Sequence, residues 1–291
     1  MQRRKFLTAA VSLAAAVSLS ACGLAGGATG SANAADDKTI KLIVTESAPT
    51  QEPTKIAKKI LESQGWKVEA KYVTDIVQPN FAVANGEFDA NYFQHAAYLE
   101  QFTTDKNLDV ETAFYMYGSP AGVYSAKYKN INELPEGAKV AIPVDPSNNG
   151  RALALLETAG LLKLTEGKSL IHLSQQDILE NPKKLNFVEV DQQSLSKTLP
   201  DVDAGFLFVR LGAEIGLKPS DALLFEKEED ALPFINLVAA KPGFAQTEKG
   251  KALEAAYHSD EVKEWFKNYL DGALPTPWER DPAADLKAWN I

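Results

Sequence analysis

From Ile40 onward the chain alternates short apolar runs with amphipathic stretches at the spacing of βαβ units. That alternation limits the architectures open to it, because a parallel strand pair needs a covering crossover. Residues 40–44 read as a buried strand. Residues 54–63 read as an amphipathic helix with Ile56, Ala57, Ile60 and Leu61 on one face, ended by Gly65. Residues 66–73 alternate as a second strand. Residues 76–84 suggest a helix with Pro79 near its start, and residues 88–92 a third strand after the Asn85-Gly86 turn. Residues 112–117 and 122–125 add two strands around Gly118-Ser119-Pro120. The sheet then restarts at Lys139, which predicts a second α/β domain. Beyond a polar, irregular segment at 161–182 with a short helix near 175–179, strands are expected at 186–190, 204–209 and 232–239. Helices are expected at 194–199, 246–258 and 260–270. The last twenty residues carry Pro275, Pro277, Trp278, Pro282 and Trp289 and are expected to wrap the surface without chemistry.

The segment 139–160 is the most specific local pattern. Val140-Ala141-Ile142 is a strand, residues 143–149 a loop, and Ala152, Leu155, Leu156 and Ala159 an apolar helix face stopped by Gly160. Asn148 or Asn149 is the expected cap, which places Arg151 in the first turn. A cation is unfavourable at that end of a helix, whereas an anion is favoured by the free N–H groups. The expectation is therefore a carboxylate seated between Arg151 and the helix start. A second cluster, residues 92–99, places Tyr92, Phe93 and His95 where a strand hands over to a helix. Ligands of open α/β sheets sit at such strand ends. Phe102, one turn further, reads as helix core.

The amino terminus addresses compartment. Arg3, Arg4 and Lys5 precede an apolar run at 7–21, too short for a membrane span, and Ala21-Cys22 follows. Residues 1–21 are expected to be a lipoprotein signal peptide, removed before a lipidated Cys22. Arg3-Arg4 also resembles a twin-arginine export signal. Residues 22–37 form a flexible tether rich in Gly and Ala. Cys22 is the single cysteine, so the folded part holds neither a disulfide nor a thiolate metal site. The net charge of −9, more negative once the leader is removed, gives no electrostatic reason to bind nucleic acid.

Catalytic patterns are absent. His95, His172 and His258 are scattered and make no metal-ligand spacing. The chain has no Gly-x-Ser-x-Gly elbow, no Walker loop and no GxGxxG after a strand. Asp89 and Asp145 are the one pair that glycoside chemistry could use. Export, an anchor, two α/β lobes and no catalytic constellation point to binding rather than catalysis, without metal or cofactor.

These features resemble the NlpA-type lipoproteins, the methionine-binding components of bacterial ABC importers. Phe88-Asp89-Ala90-Asn91-Tyr92-Phe93-Gln94-His95 resembles the family's D-A-N-x-F-Q-H block, and residues 141–153 resemble A-I-P-x-D-P-[ST]-N-x-G-R-A-L. Residues 178–183 and Pro233-Phe234-Ile235-Asn236 carry two shorter matches, and order and spacing hold over residues 38–272. The resemblance implies a periplasmic-binding-protein type II-like fold of two α/β lobes with a ligand cleft between them. Lobe I would be discontinuous, residues 38–121 and 236–291, and lobe II would be residues 122–235. It implies that Arg151 pairs with the amino-acid carboxylate through a planar fork. Asn236 would hold the ligand's main-chain polar groups, with Asn148 beside the seat. Phe93 and His95, with Tyr92 and Tyr117, would wall its side chain. The partners implied are an amino acid resembling methionine or a short peptide, a permease with its ATPase, and the extracytoplasmic face of the cell membrane through the lipid.

Two positions depart from the family pattern. Phe208 falls where an asparagine is common, and Ile76 replaces a pocket tyrosine. Both would line the cleft and bear on which ligand fits. Arg210, two residues on, is either a compensating donor or a surface charge. The alternative function is a surface lipoprotein with a diverged cleft that serves adhesion or regulation.

Overall fold

The computed structural model describes residues 38–291. The expected signal peptide, Cys22 and the tether lie outside the described residues. The chain begins with β1 (Thr39–Thr45), α1 (Ala48–Ser63), β2 (Lys67–Val73), α2 (Gln78–Ala84), β3 (Ala90–His95), α3 (Ala96–Lys106) and β4 (Glu111–Gly118). It continues with β5 (Ala121–Tyr124), β6 (Lys139–Pro143), α4 (Pro146–Thr158), β7 (Lys163–Leu164), β8 (Ile178–Glu180) and β9 (Asn186–Val190). Then come α5 (Leu195–Thr198), β10 (Ala204–Phe208), α6 (Val209–Glu214), β11 (Leu224–Phe225) and α7 (Glu228–Ala231). The last elements are β12 (Ile235–Ala240), α8 (Glu248–Tyr257), α9 (Asp260–Asn268) and α10 (Pro282–Trp289).

Two five-stranded sheets result, β2-β1-β3-β12-β4 and β11-β5-β10-β6-β9. In the first, β1 is parallel to β2 and β3, and the returning β12 inserts antiparallel between β3 and β4. In the second, β6 is parallel to β9 and β10, while β5 runs antiparallel to β10 and β11. Strand alternation sorts the first core. Ile40, Leu42 and Val44 pack toward α1, α8 and α9, and Ile43 packs on the other face with Val83, Leu99 and Leu237. The second sheet has its own core of Val140, Ile142, Leu153, Leu156 and Phe206. The architecture is two α/β lobes, as the βαβ alternation predicted.

The chain passes from the first sheet to the second between Gly118 and Ala121, and returns between Phe225 and Ile235. The two crossings lie side by side. The Glu226 N–H donates to the Ala121 carbonyl at 3.1 Å, and Ile235 stands opposite Gly118 in the ladder. Residues 232–234, expected as strand, form a short 3-10 turn instead. Pro233 has no N–H to give a ladder, so pairing begins only at Ile235.

The carboxyl-terminal segment keeps to the surface and adds a helix that the pattern did not predict. Asp281 caps α10 by accepting from the Ala283 N–H at 2.9 Å, with Pro282 at the first helical position. Trp278 donates its indole N–H to the Met116 carbonyl at 2.7 Å and stacks on His258 at 4.5 Å. The Gly118 N–H donates to the Pro275 carbonyl at 2.7 Å, so this segment also braces the first crossing. An indole N–H is rarely buried unpaired, and its partner lay beyond the reach of local pattern. Among the described residues no helix is long and apolar enough to cross a membrane.

Candidate functional site

A cleft of about 380 Å3 lies between the two sheets. The first sheet supplies it with residues at and just past its strand ends: Thr45 closing β1 with Glu46 and Ser47 after it, Thr74 and Ile76 after β2, and Phe93, Gln94 and His95 closing β3. The second supplies Asn148 from α4, Gln193 and Lys197 around α5, and Phe208, Arg210 and Glu214 around α6. This is the carboxyl-end location that open α/β sheets favour for ligands.

The motif at 89–95 is held from behind by an amide network. Asn80 and Gln94 exchange hydrogen bonds at 2.8 and 2.6 Å, and Asn91 donates to Asn80 Oδ1 at 2.9 Å. All three are buried, so each amide must find partners, and they find one another. Their effect is to lock the end of β3 against α2. His95 then caps α3, its Nδ1 accepting the Tyr98 N–H at 3.0 Å. That assigns the proton to Nε2, which donates to Asn148 Oδ1 at 3.0 Å and so ties the first sheet to α4. Burial, reinforced by the nearby charge of Arg151, pushes the His95 imidazole down to about 3. His95 is neutral at physiological pH and cannot serve as a cation in the cleft.

His95, Asn236 and Tyr117 form a row across β3, β12 and β4, paired directly in register, and all three line the cleft. Among the described residues, none forms a hydrogen bond with the Asn236 side-chain amide. Tyr98 completes this side, with its hydroxyl donating to the Ile76 carbonyl at 3.0 Å. Phe93 packs edge-on to Tyr98 at 5.9 Å.

Arg151 stands elsewhere. The cap of α4 is Asp145, three residues before Asn148, and Pro146 takes the first helical position. Asp145 Oδ1 accepts from the Asn148 N–H at 3.0 Å and from the Asn148 side-chain amide at 2.9 Å. The anion at this helix start is thus the protein's own carboxylate, and Arg151 falls in the second turn rather than the first. Its fork is closed on Glu226. Nε donates to Oε1 at 2.6 Å, Nη2 to Oε2 at 2.6 Å, and Nη2 also to the Ser119 carbonyl at 2.7 Å. Phe234 lies under the guanidinium at 3.8 Å. Both charged side chains are shut away from water, at 1% and 2% exposure. The remaining nitrogen, Nη1, is buried without a partner. The expected bidentate seat for a ligand is therefore corrected: Arg151 does not line the cleft, because a carboxylate of this chain already occupies its fork. Glu226 Oε2 also accepts the Ala121 N–H at 2.8 Å, so the pair joins α4 to both crossings.

Two further expectations change. Tyr92 is fully buried and does not line the cleft; its hydroxyl donates to the Pro49 carbonyl at 2.8 Å, and its ring meets Tyr257 edge-on at 5.5 Å. Asn148 does line the cleft, but its carbonyl is engaged by His95 and its amide by Asp145. The structure brings Ile76, Phe93, His95, Tyr117, Asn148, Phe208 and Asn236 to one cavity. Arg210 joins them; its guanidinium lies 5.8 Å from the Phe208 ring. Sequence reasoning missed Glu226 and Ser119, the partners of Arg151. Glu226 heads a run of acidic and basic residues that reads as solvated surface, and Ser119 acts through its carbonyl, which no sequence displays.

The chain is similar to proteins of known family and structure. A D-methionine-binding lipoprotein MetQ of Salmonella typhi is 35% identical over 246 residues, 84% of this chain and 90% of the relative. A nutrient binding protein from Burkholderia cenocepacia, solved bound to methionine, superposes with a TM-score of 0.76 at 37% identity, covering 82% of this chain and 99% of that one. An ABC transporter periplasmic substrate-binding protein from Coxiella burnetii gives a TM-score of 0.73 at 36% identity over 81% and 99% of the two chains. The sequence model of the NlpA lipoproteins matches residues 41–278, nearly the whole folded part. With its two lobes, its cleft at the strand ends and these relatives, the chain belongs to the NlpA lipoprotein family.

Proposed function

We propose that this chain is the lipid-anchored substrate-binding component of an ABC importer. It holds methionine, or a related amino acid or short peptide, in the cleft between its lobes and delivers it to a permease and its ATPase. The observation that carries this reading is the cleft itself, a built cavity of about 380 Å3 in a chain 37% identical to a protein solved with methionine bound. Pockets of this size, largely preformed and walled by aromatic groups, suit small ligands. Phe93, Tyr117 and Phe208 offer aromatic surface to a thioether, and Ile76 adds aliphatic surface. Asn236 is the amide free to take the ligand's main-chain polar groups. The lobes are residues 38–121 with 236–291, and residues 122–235, and closure turns on the two crossings. Anchoring through Cys22 keeps the protein on the extracytoplasmic face of the membrane. Binding and release need no covalent step.

Calorimetric titration with L- and D-methionine, other amino acids and short peptides tests this reading. The protein is first unfolded and refolded to strip carried-over ligand. Saturable 1:1 binding of methionine is the expected result, and failure to bind any free amino acid or short peptide overturns the proposal.

A further inference from the structure

The cleft contains a guanidinium that makes no hydrogen bond among the described residues. Arg210 stands at the start of α6, lines the cleft, and has a side chain only 12% exposed. Its one ion pair among the described residues is to Glu214, with Nη1 3.9 Å from Oε1, too long for a hydrogen bond, and Glu214 is itself 59% exposed. The planar fork that recognises a carboxylate is therefore open. Phe208 lies between the two arginines in sequence position and in contact: its ring centroid is 5.6 Å from the Arg151 guanidinium and 5.8 Å from that of Arg210. Phe208 and Arg210 face the cleft, and Arg151 does not. Among the described residues Nη1 of Arg151 is buried without a hydrogen-bond partner, and its other two nitrogens are held by Glu226 and the Ser119 carbonyl.

The neighbours of Arg210 suit a main-chain carboxylate. Tyr117 lines the same cleft as Arg210; burial pushes its phenol up, and the positive charge of Arg210 pulls the other way. Asn236 stands opposite Tyr117 in the ladder with its amide uncommitted. Lys197 is the other cation lining the cleft, but it is exposed and lacks a planar fork.

We propose that Arg210 binds the ligand's α-carboxylate in this chain, the task that Arg151 is prevented from performing by Glu226. The inference rests on the small-molecule-binding reading above and assigns the ligand class as compounds with a free carboxylate, an amino acid or the carboxyl end of a short peptide. Phe208 and Arg210 then act together: the ring stands between the Arg151 guanidinium and the cleft and packs against the arginine that lines it.

The test titrates L-methionine and L-methioninamide, which lacks the carboxylate charge, into the full chain, R210Q and K197Q. The unaltered protein should prefer methionine over the amide by at least about 30-fold, the lower end of what losing one partner of a desolvated charge pair removes. R210Q should lose that preference by weakening methionine alone, with methioninamide affinity held within about threefold. K197Q should keep it. A structural role for Arg210 would weaken both ligands together and leave their ratio unchanged, which overturns the proposal. Equal binding of the two ligands by the unaltered protein, or loss of preference in K197Q rather than R210Q, overturns it as well. No binding of any amino acid or peptide by the unaltered protein instead removes the underlying reading, and this one with it.

Discussion

Replacing Glu226 with leucine should strand the buried charge of Arg151. In the folded protein both side chains are almost wholly excluded from water, and two 2.6 Å hydrogen bonds join them. Removing one member of such a pair leaves an uncompensated charge in a site of low polarity, and that typically costs about 3–5 kcal/mol. The Ala121 N–H, which donates to Glu226 Oε2 at 2.8 Å, would lose its acceptor too. At about 2–4 °C per kcal/mol for a chain of this size, the melting temperature should fall by about 6–20 °C. The double variant Arg151→Leu with Glu226→Leu removes both charges, and pairs replaced by apolar groups are often near neutral. It should therefore recover most of the loss, giving a coupling energy of several kcal/mol in a double-mutant cycle. Scanning calorimetry and urea midpoints measure each corner. A single variant less than about 1 kcal/mol below the unaltered protein would refute the reasoning, as would a double variant whose loss equals the sum of the singles.

Three further outcomes follow from particular contacts. His95 is held at about 3 when folded against an ordinary 6.5, so between those values the unfolded chain takes up a proton that the folded chain refuses. The contribution of this group is complete well above pH 6.5 and is lost as pH falls through that window, by on the order of 5 kcal/mol; urea midpoints against pH should flatten there in His95→Asn, which can still cap α3. In Gly150→Ala the new Cβ would stand 2.3 Å from the Leu170 carbonyl oxygen, a backbone atom that cannot swing aside. A loss of about 1–3 kcal/mol in chemical denaturation is expected, and a stability gain from higher helix propensity would contradict it. Asn236→Ala removes an amide with no side-chain hydrogen bond among the described residues. Methionine affinity should drop about 5- to 10-fold with melting temperature nearly unchanged, and a large thermal shift would show the amide to be structural.

Much of the fold was legible because it rests on period. The alternation in β2 and the i, i+3, i+4 apolar spacing in α4 follow from local geometry, so strand and helix identities could be read residue by residue. Boundaries were less legible where capping decided them. Asn148 and Asn149 are good caps in isolation, yet Asp145 with Pro146 begins α4 three residues earlier, and that moves Arg151 by most of a turn. The segment 161–182 shows the same limit: β7 and β8 pair across the loop, and neither is long enough to announce itself.

The sequence by itself determined the two α/β units, the family, and seven of the residues that line the cleft, because those properties are carried by short contiguous patterns. Only the tertiary structure decided which groups reach Arg151 and Arg210. An arginine's role depends on which carboxylate reaches its fork, and Glu226 lies 75 positions away from Arg151 along the chain. The crossing of the chain between its two sheets brings that carboxylate to Arg151 and leaves the fork of Arg210 open to the cleft.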